Sequence, residues 1–234
     1  MVCVRLTNGF GNNLFQYNAA RLLADFLGQE TYCVPPAPDY YAIQSLQSLG
    51  LKFIDSYAVS GIMVSEPAYK MCFDKKYKDE TFILSGYFEN YHHFYDDISK
   101  IKSWYPKVGK RKDKDLVIHF RAGDRLFYKN EFHSKPQVDS YKRAIEKFDF
   151  EKLHIVTDMP KWDFISETEL ANMSFHYNVP AENRVPPQES VDYFNSFIEG
   201  FAEYKPIMEK RTIVEDFNFI RSFDNIMFQH GTLG

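Results

Sequence analysis

The sequence is poor in cysteine, with only Cys3, Cys33 and Cys72 among 234 residues. Their odd number and wide spacing exclude a disulfide framework and a thiolate metal site, and predict buried free thiols in a reducing compartment. A long apolar run is also missing. Met1 leads straight into the strand-like Val2-Cys3-Val4-Arg5-Leu6, without a basic leader region, so the sequence predicts neither a signal peptide nor a membrane anchor, and a cytoplasmic location. On that reading the Asn172-Met173-Ser174 sequon is a chance match. Positive charge is not in excess either: 28 Lys+Arg stand against 32 Asp+Glu, a formal charge of −4. That balance argues against nucleic acid or an anionic bilayer as the main partner, while leaving room for a local basic site for a phosphate. No internal repeat, low-complexity tract or heptad pattern is present.

What is there is a chain able to bury a sizeable core, as one large domain or two small ones. Its 22 Phe and 16 Tyr read first as a bulky core and second as the lining of an amphipathic cleft. Val2 to Leu6 reads as a strand, Thr7 to Asn13 as a tight glycine loop, and Leu14 to Leu27 as a helix closed by Gly28. Thr31 to Val34 is a second strand candidate. Residues 38 to 78 carry weak signals and predict short helices and loops. Phe82 to Phe88 reads as a strand and Tyr91 to Ser103 as a helix. The charged run from Lys107 to Asp115 breaks the apolar pattern and reads as a solvated linker. After it come a strand (Leu116 to Phe120), a helix (Val138 to Phe148) and a strand (Leu153 to Thr157). Two helices (Ser190 to Ala202, Thr212 to Ser222) and a short strand (Asn225 to Phe228) follow. The pattern predicts an α/β protein of two halves, residues 1–110 and 111–234, meeting across a cleft.

Four constellations carry chemistry. Val117-Ile118-His119-Phe120-Arg121-Ala122-Gly123-Asp124 is a buried strand running into a polar turn. It delivers His119 and Arg121 beyond a carboxyl end, where ligands of open α/β sheets bind. A guanidinium fork can grip a diphosphate in two places, and Gly123 allows close approach. Arg121 reads equally well as a solvent-facing partner of Asp124. Asn8-Gly9-Phe10-Gly11-Asn12-Asn13 precedes a helix whose first amides suit an anion. It is neither a Walker loop nor a dinucleotide fingerprint. Ile155-Val156-Thr157-Asp158 ends a strand in a carboxylate that can bond a base or ribose, or simply cap a helix. Glu215-Asp216-Phe217, with His230-Gly231-Thr232-Leu233-Gly234, offers a small-residue loop for phosphates, or a frayed end.

In order and spacing these four resemble the motifs of the α-1,2-fucosyltransferase family, whose fold is GT-B, two facing Rossmann-like domains. Asn8-Gly9-Phe10-Gly11-Asn12-Asn13-Leu14-Phe15-Gln16-Tyr17 stands where the family has Gly-Gly-x-Gly-Asn-Gln-hydrophobic-Phe-Gln-Tyr. His119-Phe120-Arg121-Ala122-Gly123-Asp124 is similar to its His-x-Arg-Arg-Gly-Asp. Gly86-Tyr87-Phe88, Thr157-Asp158, Glu215-Asp216-Phe217 and Gly231-Thr232-Leu233-Gly234 match further elements, so the resemblance spans the chain. Two departures stand out: Ala122 replaces the second arginine, and family chains continue past the point matching Gly234. The latter implies either a minimal enzyme or a fragment.

The resemblance implies an inverting transfer of fucose from GDP-fucose to a glycan hydroxyl, without metal or other cofactor. The second half would hold the donor and the first half the acceptor. Arg121, His119 and Asp124 would be the catalytic set, with Glu89 a second candidate base. Gly11, Asn12, Arg121, Asp158, Gly231 and Thr232 would bind the donor. A transferase using another nucleotide sugar, or a non-catalytic nucleotide-sugar-binding module, are the alternatives. The Asp113-Lys114-Asp115 string, which a metal-dependent enzyme would place after a strand, precedes one and reads as part of the linker.

Overall fold

The structure is a computed structural model that describes residues 1–7, 9–40, 42–55, 59–111, 114–120, 138–157, 187–209 and 211–228. It is a mixed α/β protein with two parallel sheets, and the chain divides into two compact units, Met1–Lys107 and the segment from Val108 onward.

In the first unit β1 (Val2–Arg5), β2 (Thr31–Val34), β3 (Ile62–Ser65) and β4 (Phe82–Ser85) form a sheet of order β2-β1-β4-β3, every pair parallel. Helix α1 (Phe10–Leu27) packs along β1 and β2. Its alanines and leucines have high helix propensity, and 12 of its 18 residues are buried. It stops at Gly28, whose φ of 74° only glycine adopts without strain, and whose amide closes on the Ala24 carbonyl. The helix begins at Phe10, four residues before the sequence reading. Gly9, at φ 104°, makes the turn ahead of it. Short helix α2 (Ile43–Ser48) follows β2, as the weak signals of that region predict. Strand β3 was not legible there, because four residues without alternation give no period.

Beyond β4, the expected helix from Tyr91 is in fact two 3₁₀ turns, Tyr91–His93 and Tyr95–Asp97, before α3 (Ile98–Trp104) begins. Asn90 caps the first turn by accepting from the His92 amide at 3.1 Å, a local bond that competes with continuous α-helix.

The second unit holds β5 (Leu116–Phe120), β6 (Leu153–Thr157) and β7 (Asn225–Phe228) in the order β6-β5-β7, again all parallel. Helices α4 (Val138–Ile145) and α5 (Pro187–Glu199) cover one face. Here Phe120 stacks on Phe197 at 3.9 Å and 10°. Helix α6 (Ile213–Arg221) covers the other, setting Ile220 and the following Phe223 on Val117 and Val156. Both sheets share one edge device. Residues 52–54 bond along β2 through Cys33, and Ile207 bonds along β6 between Leu153 and Ile155. Each covers backbone groups that an edge strand would leave open.

Candidate functional site

Strand alternation decides where His119 points. Leu116, Ile118 and Phe120 enter the core with α4 and α5, whereas Val117 packs under α6. His119 therefore shares the α6 face. It is buried, lies in register with Val156 and Phe228, and meets the Phe228 ring edge-on at 6.3 Å. From β5 the chain goes to β6 on one side, while β7 lies on the other. The carboxyl end of β5 is thus where the strand order reverses, the general location of ligands in open α/β sheets. His119 stands there, two residues ahead of Arg121. Arg121, Asp124, Asp158, Gly231 and Thr232 lie outside the described residues.

Helix α6 adds a carboxyl to the same face. Its C-terminal end sits ahead of β5, since the Ser222 carbonyl accepts from the Arg111 amide at 2.9 Å. Its first turn therefore points toward the carboxyl end of the sheet. Thr212 opens it with a capping box: Thr212 Oγ1 accepts from the Glu215 amide, and the Glu215 carboxylate accepts from the Thr212 amide at 2.7 Å. Glu215 is thereby committed to the helix end. The next residue, Asp216, is half-buried, and burial pushes its carboxyl up to about 6 against the pull of Arg211, 3.6 Å away. Arg211 is itself held flat on the Phe219 ring at 3.5 Å. A carboxyl that titrates near neutrality can exchange a proton or accept a ligand hydrogen bond. The motif Glu215-Asp216-Phe217 marked the place in the sequence, but only burial separates the two carboxylates.

In the first unit the corresponding place is the loop between β1 and α1. Two fully buried amides build it. Asn13 Nδ2 donates to the Thr7 carbonyl at 2.7 Å and to Gln16 Oε1 at 3.2 Å. Gln16 Oε1 also accepts from the Thr7 amide at 3.1 Å, and Gln16 Nε2 donates to the Gly86 carbonyl at 2.7 Å. Tyr40 closes the ring, its hydroxyl donating to Asn13 Oδ1 at 2.7 Å and accepting from the Gly9 amide at 3.2 Å. Every polar atom of these two amides is engaged within the protein, so they shape the loop rather than face a ligand. Gly11 and Asn12 lie in the first turn of α1. Gln16 also ties this loop to the Gly86 turn after β4, the neighbouring strand across the reversal point of the first sheet. Glu89 is exposed just beyond that turn.

No protein-family model matches the chain, and no curated protein or solved structure is significantly similar to it. Among the described residues, no three His, Cys, Asp or Glu side chains gather as metal ligands, and no helix is long and apolar enough to cross a membrane. The three cysteines are free and buried, and burial pushes the thiols up.

The reading of Lys107 to Asp115 as a solvated linker fits its start, where the two units divide and Lys107, Gly109 and Lys110 are exposed, but needs correction at its end. Asp113 lies outside the described residues, but Asp115 is 2% exposed. Its Oδ2 accepts from Arg111 Nη2 at 3.0 Å and from His154 Nε2 at 2.9 Å. His154 is packed between the rings of Phe219 and Phe223, and Arg111 covers Phe223. A run of charges reads as solvated because charge rarely enters a core. Here the buried Asp115 takes one partner, Arg111, from within the run and the other, His154, from β6, and the second is what no local window reveals. The cluster sits at the amino end of β5, at the far end of the strand from His119.

Proposed function

We propose that this protein is an inverting, metal-independent glycosyltransferase of GT-B architecture that moves fucose from GDP-fucose to a glycan hydroxyl. The observation that carries the reading is the position of His119. It is held at the carboxyl end of the central strand of a parallel sheet, where strand order reverses, and the His-Phe-Arg-Ala-Gly-Asp motif continues from it.

In the proposed reaction the acceptor oxygen attacks the anomeric carbon as the bond from that carbon to the β-phosphate oxygen breaks. The diphosphate leaves with the electron pair, and the acceptor proton passes to a carboxylate. Arg121 would neutralise the charge growing on the leaving diphosphate, with His119 beside it and the Gly11 and Asn12 amides assisting. Asp124 and Glu89 are the candidate bases. Asp216, held near neutrality on the His119 face, joins them as a proton acceptor or as a partner for the nucleotide. Asp158, Gly231 and Thr232 complete the proposed donor contacts.

A second reading is favoured by Ala122, which removes one of the two cations the family places beside the donor. On that reading the protein binds a nucleotide sugar without turning it over, or uses a different donor. A screen of GDP-fucose against other nucleotide sugars, with and without EDTA, tests the proposal. Transfer or hydrolysis confined to GDP-fucose and indifferent to EDTA is the expected result. Saturable GDP binding without turnover of any donor would establish the second reading, and loss on chelation restored by manganese would overturn metal independence.

A further inference from the structure

The first unit exposes three aromatic rings along one short segment, and its own core does not use them. Tyr87, Tyr91 and Tyr95 are 53%, 61% and 66% exposed. They follow one another along the segment that leaves β4, at the carboxyl end of its sheet. Burying a tyrosine stabilises a fold, and leaving three uncovered on one short segment forgoes that gain, which marks a binding surface.

The segment is not loose. Phe88, next to Tyr87, is fully buried at a φ of 55°, a conformation a bulky residue holds only when its surroundings impose it. Glu66 imposes it, since one carboxylate oxygen accepts from the Phe88 amide at 2.9 Å. The other lies 3.3 Å from His93 Nε2. A single carboxylate thus pins both the turn that presents Tyr87 and the turn that presents Tyr91. His92 packs on the Tyr91 ring at 3.9 Å between centroids. Phe94, just before Tyr95, is buried against Phe15 of α1. The backbone that presents the three tyrosines is thus held in place before any ligand arrives, which lowers the entropic cost of binding.

The chemistry of the patch points to a sugar. Tyrosine offers a flat face with a polar rim, and its ring quadrupole attracts the weakly positive C–H face of a pyranose. Exposed Asn90 and His92 lie between the tyrosines along the chain, exposed Asp96 follows the last of them, and all three can bond hydroxyls at a sugar's edge. Between residues 87 and 98 there are three carboxylates, Glu89, Asp96 and Asp97, and no lysine or arginine. An anionic glycan would be repelled and a neutral one would not.

We propose that Tyr87, Tyr91 and Tyr95 form a platform for a neutral oligosaccharide, the acceptor of the transfer. As acceptor site the platform rests on the glycosyltransferase reading; as a glycan-binding surface it does not. The test is titration of the full chain with lactose, N-acetyllactosamine, maltose and cellobiose, followed by protein-observed NMR. Sialylated lactose serves as the anionic comparison, and GDP is titrated into the same proteins. At least one neutral disaccharide should bind saturably, and sialyllactose at least threefold more weakly. Tyr91→Ala combined with Tyr95→Ala should weaken binding tenfold or more. Tyr91→Phe with Tyr95→Phe should stay within about threefold, because stacking survives without the hydroxyl. GDP affinity should not change in either double variant.

No saturable binding of any neutral glycan, or binding unaffected by the alanine pair, overturns the platform. Concentration-dependent self-association abolished by the same pair would assign the patch to a second copy of the chain and also overturn it. Glycan binding without GDP binding keeps the platform and removes the transferase reading. GDP binding with glycan binding untouched by the alanines does the reverse.

Discussion

At the scale of single residues, the buried Asp115 is the sharpest case. One of its oxygens serves Arg111 and His154 together, and the pairing requires His154 to carry its proton on Nε2. Removing one member of such a cluster leaves the others buried without compensation. Asp115→Ala is expected to destabilise the protein by about 3 kcal/mol, and Asp115→Asn, which keeps an acceptor, by less; urea denaturation of the three proteins measures both. A second carboxyl carries a pH dependence. Burial raises Asp216 to about 6, so the folded state holds its proton more tightly than the unfolded chain does. Its contribution to stability is present in acid and lost as pH rises through about 6. Asp216→Asn should flatten that fall, and at pH 7.5 should match or exceed the parent by ~1 kcal/mol, given its remaining contact with Arg211 and water. Melting curves from pH 4 to 8 read the difference, and a steeper fall in the variant would refute the assignment.

Among the elements, the β1–α1 loop shows best what a sequence can and cannot announce. The strand, the glycines and the helix were legible from Val2 to Gly28, because periodicity and caps are local signals. What was not legible is that Asn13 and Gln16 point inward, since their partners Thr7, Tyr40 and Gly86 come from the loop itself and from two distant segments. The same limit hid strand β3, which exists because β4 lies beside it. It also hid the break of the Tyr91 to Ser103 pattern into 3₁₀ turns. The place of His119 at the carboxyl end of β5 was legible because strand alternation and chain order act over a few residues, whereas the special environment of Asp216 comes from Arg211 and tertiary burial. Gln16→Leu keeps the size of the side chain but leaves the Thr7 amide, an Asn13 donor and the Gly86 carbonyl short of partners. It should cost about 3 kcal/mol and weaken protection of the loop amides in hydrogen exchange more than that of α3. Uniform loss of protection across the unit would contradict a loop-building role.

For the molecule as a whole, the two units repeat one plan. Each has a parallel sheet, a strand-order reversal beside its first strand, and one sheet edge covered by a short extended segment. In both, the motif-bearing turn follows that first strand, so the chemistry proposed for this chain rests on two carboxyl ends, one carrying Gly9, Gly11 and Asn12, the other His119 and the residues after it. The central claim is that the second of these grips a nucleotide diphosphate through Arg121. Calorimetric titration of GDP into the parent, Arg121→Ala and Arg121→Lys tests it most directly. The parent should bind saturably, and alanine should weaken binding by roughly 3 kcal/mol. Lysine should fail to restore it, because a point charge cannot replace a two-pronged fork. GDP affinity in either variant equal to that of the parent would contradict the account.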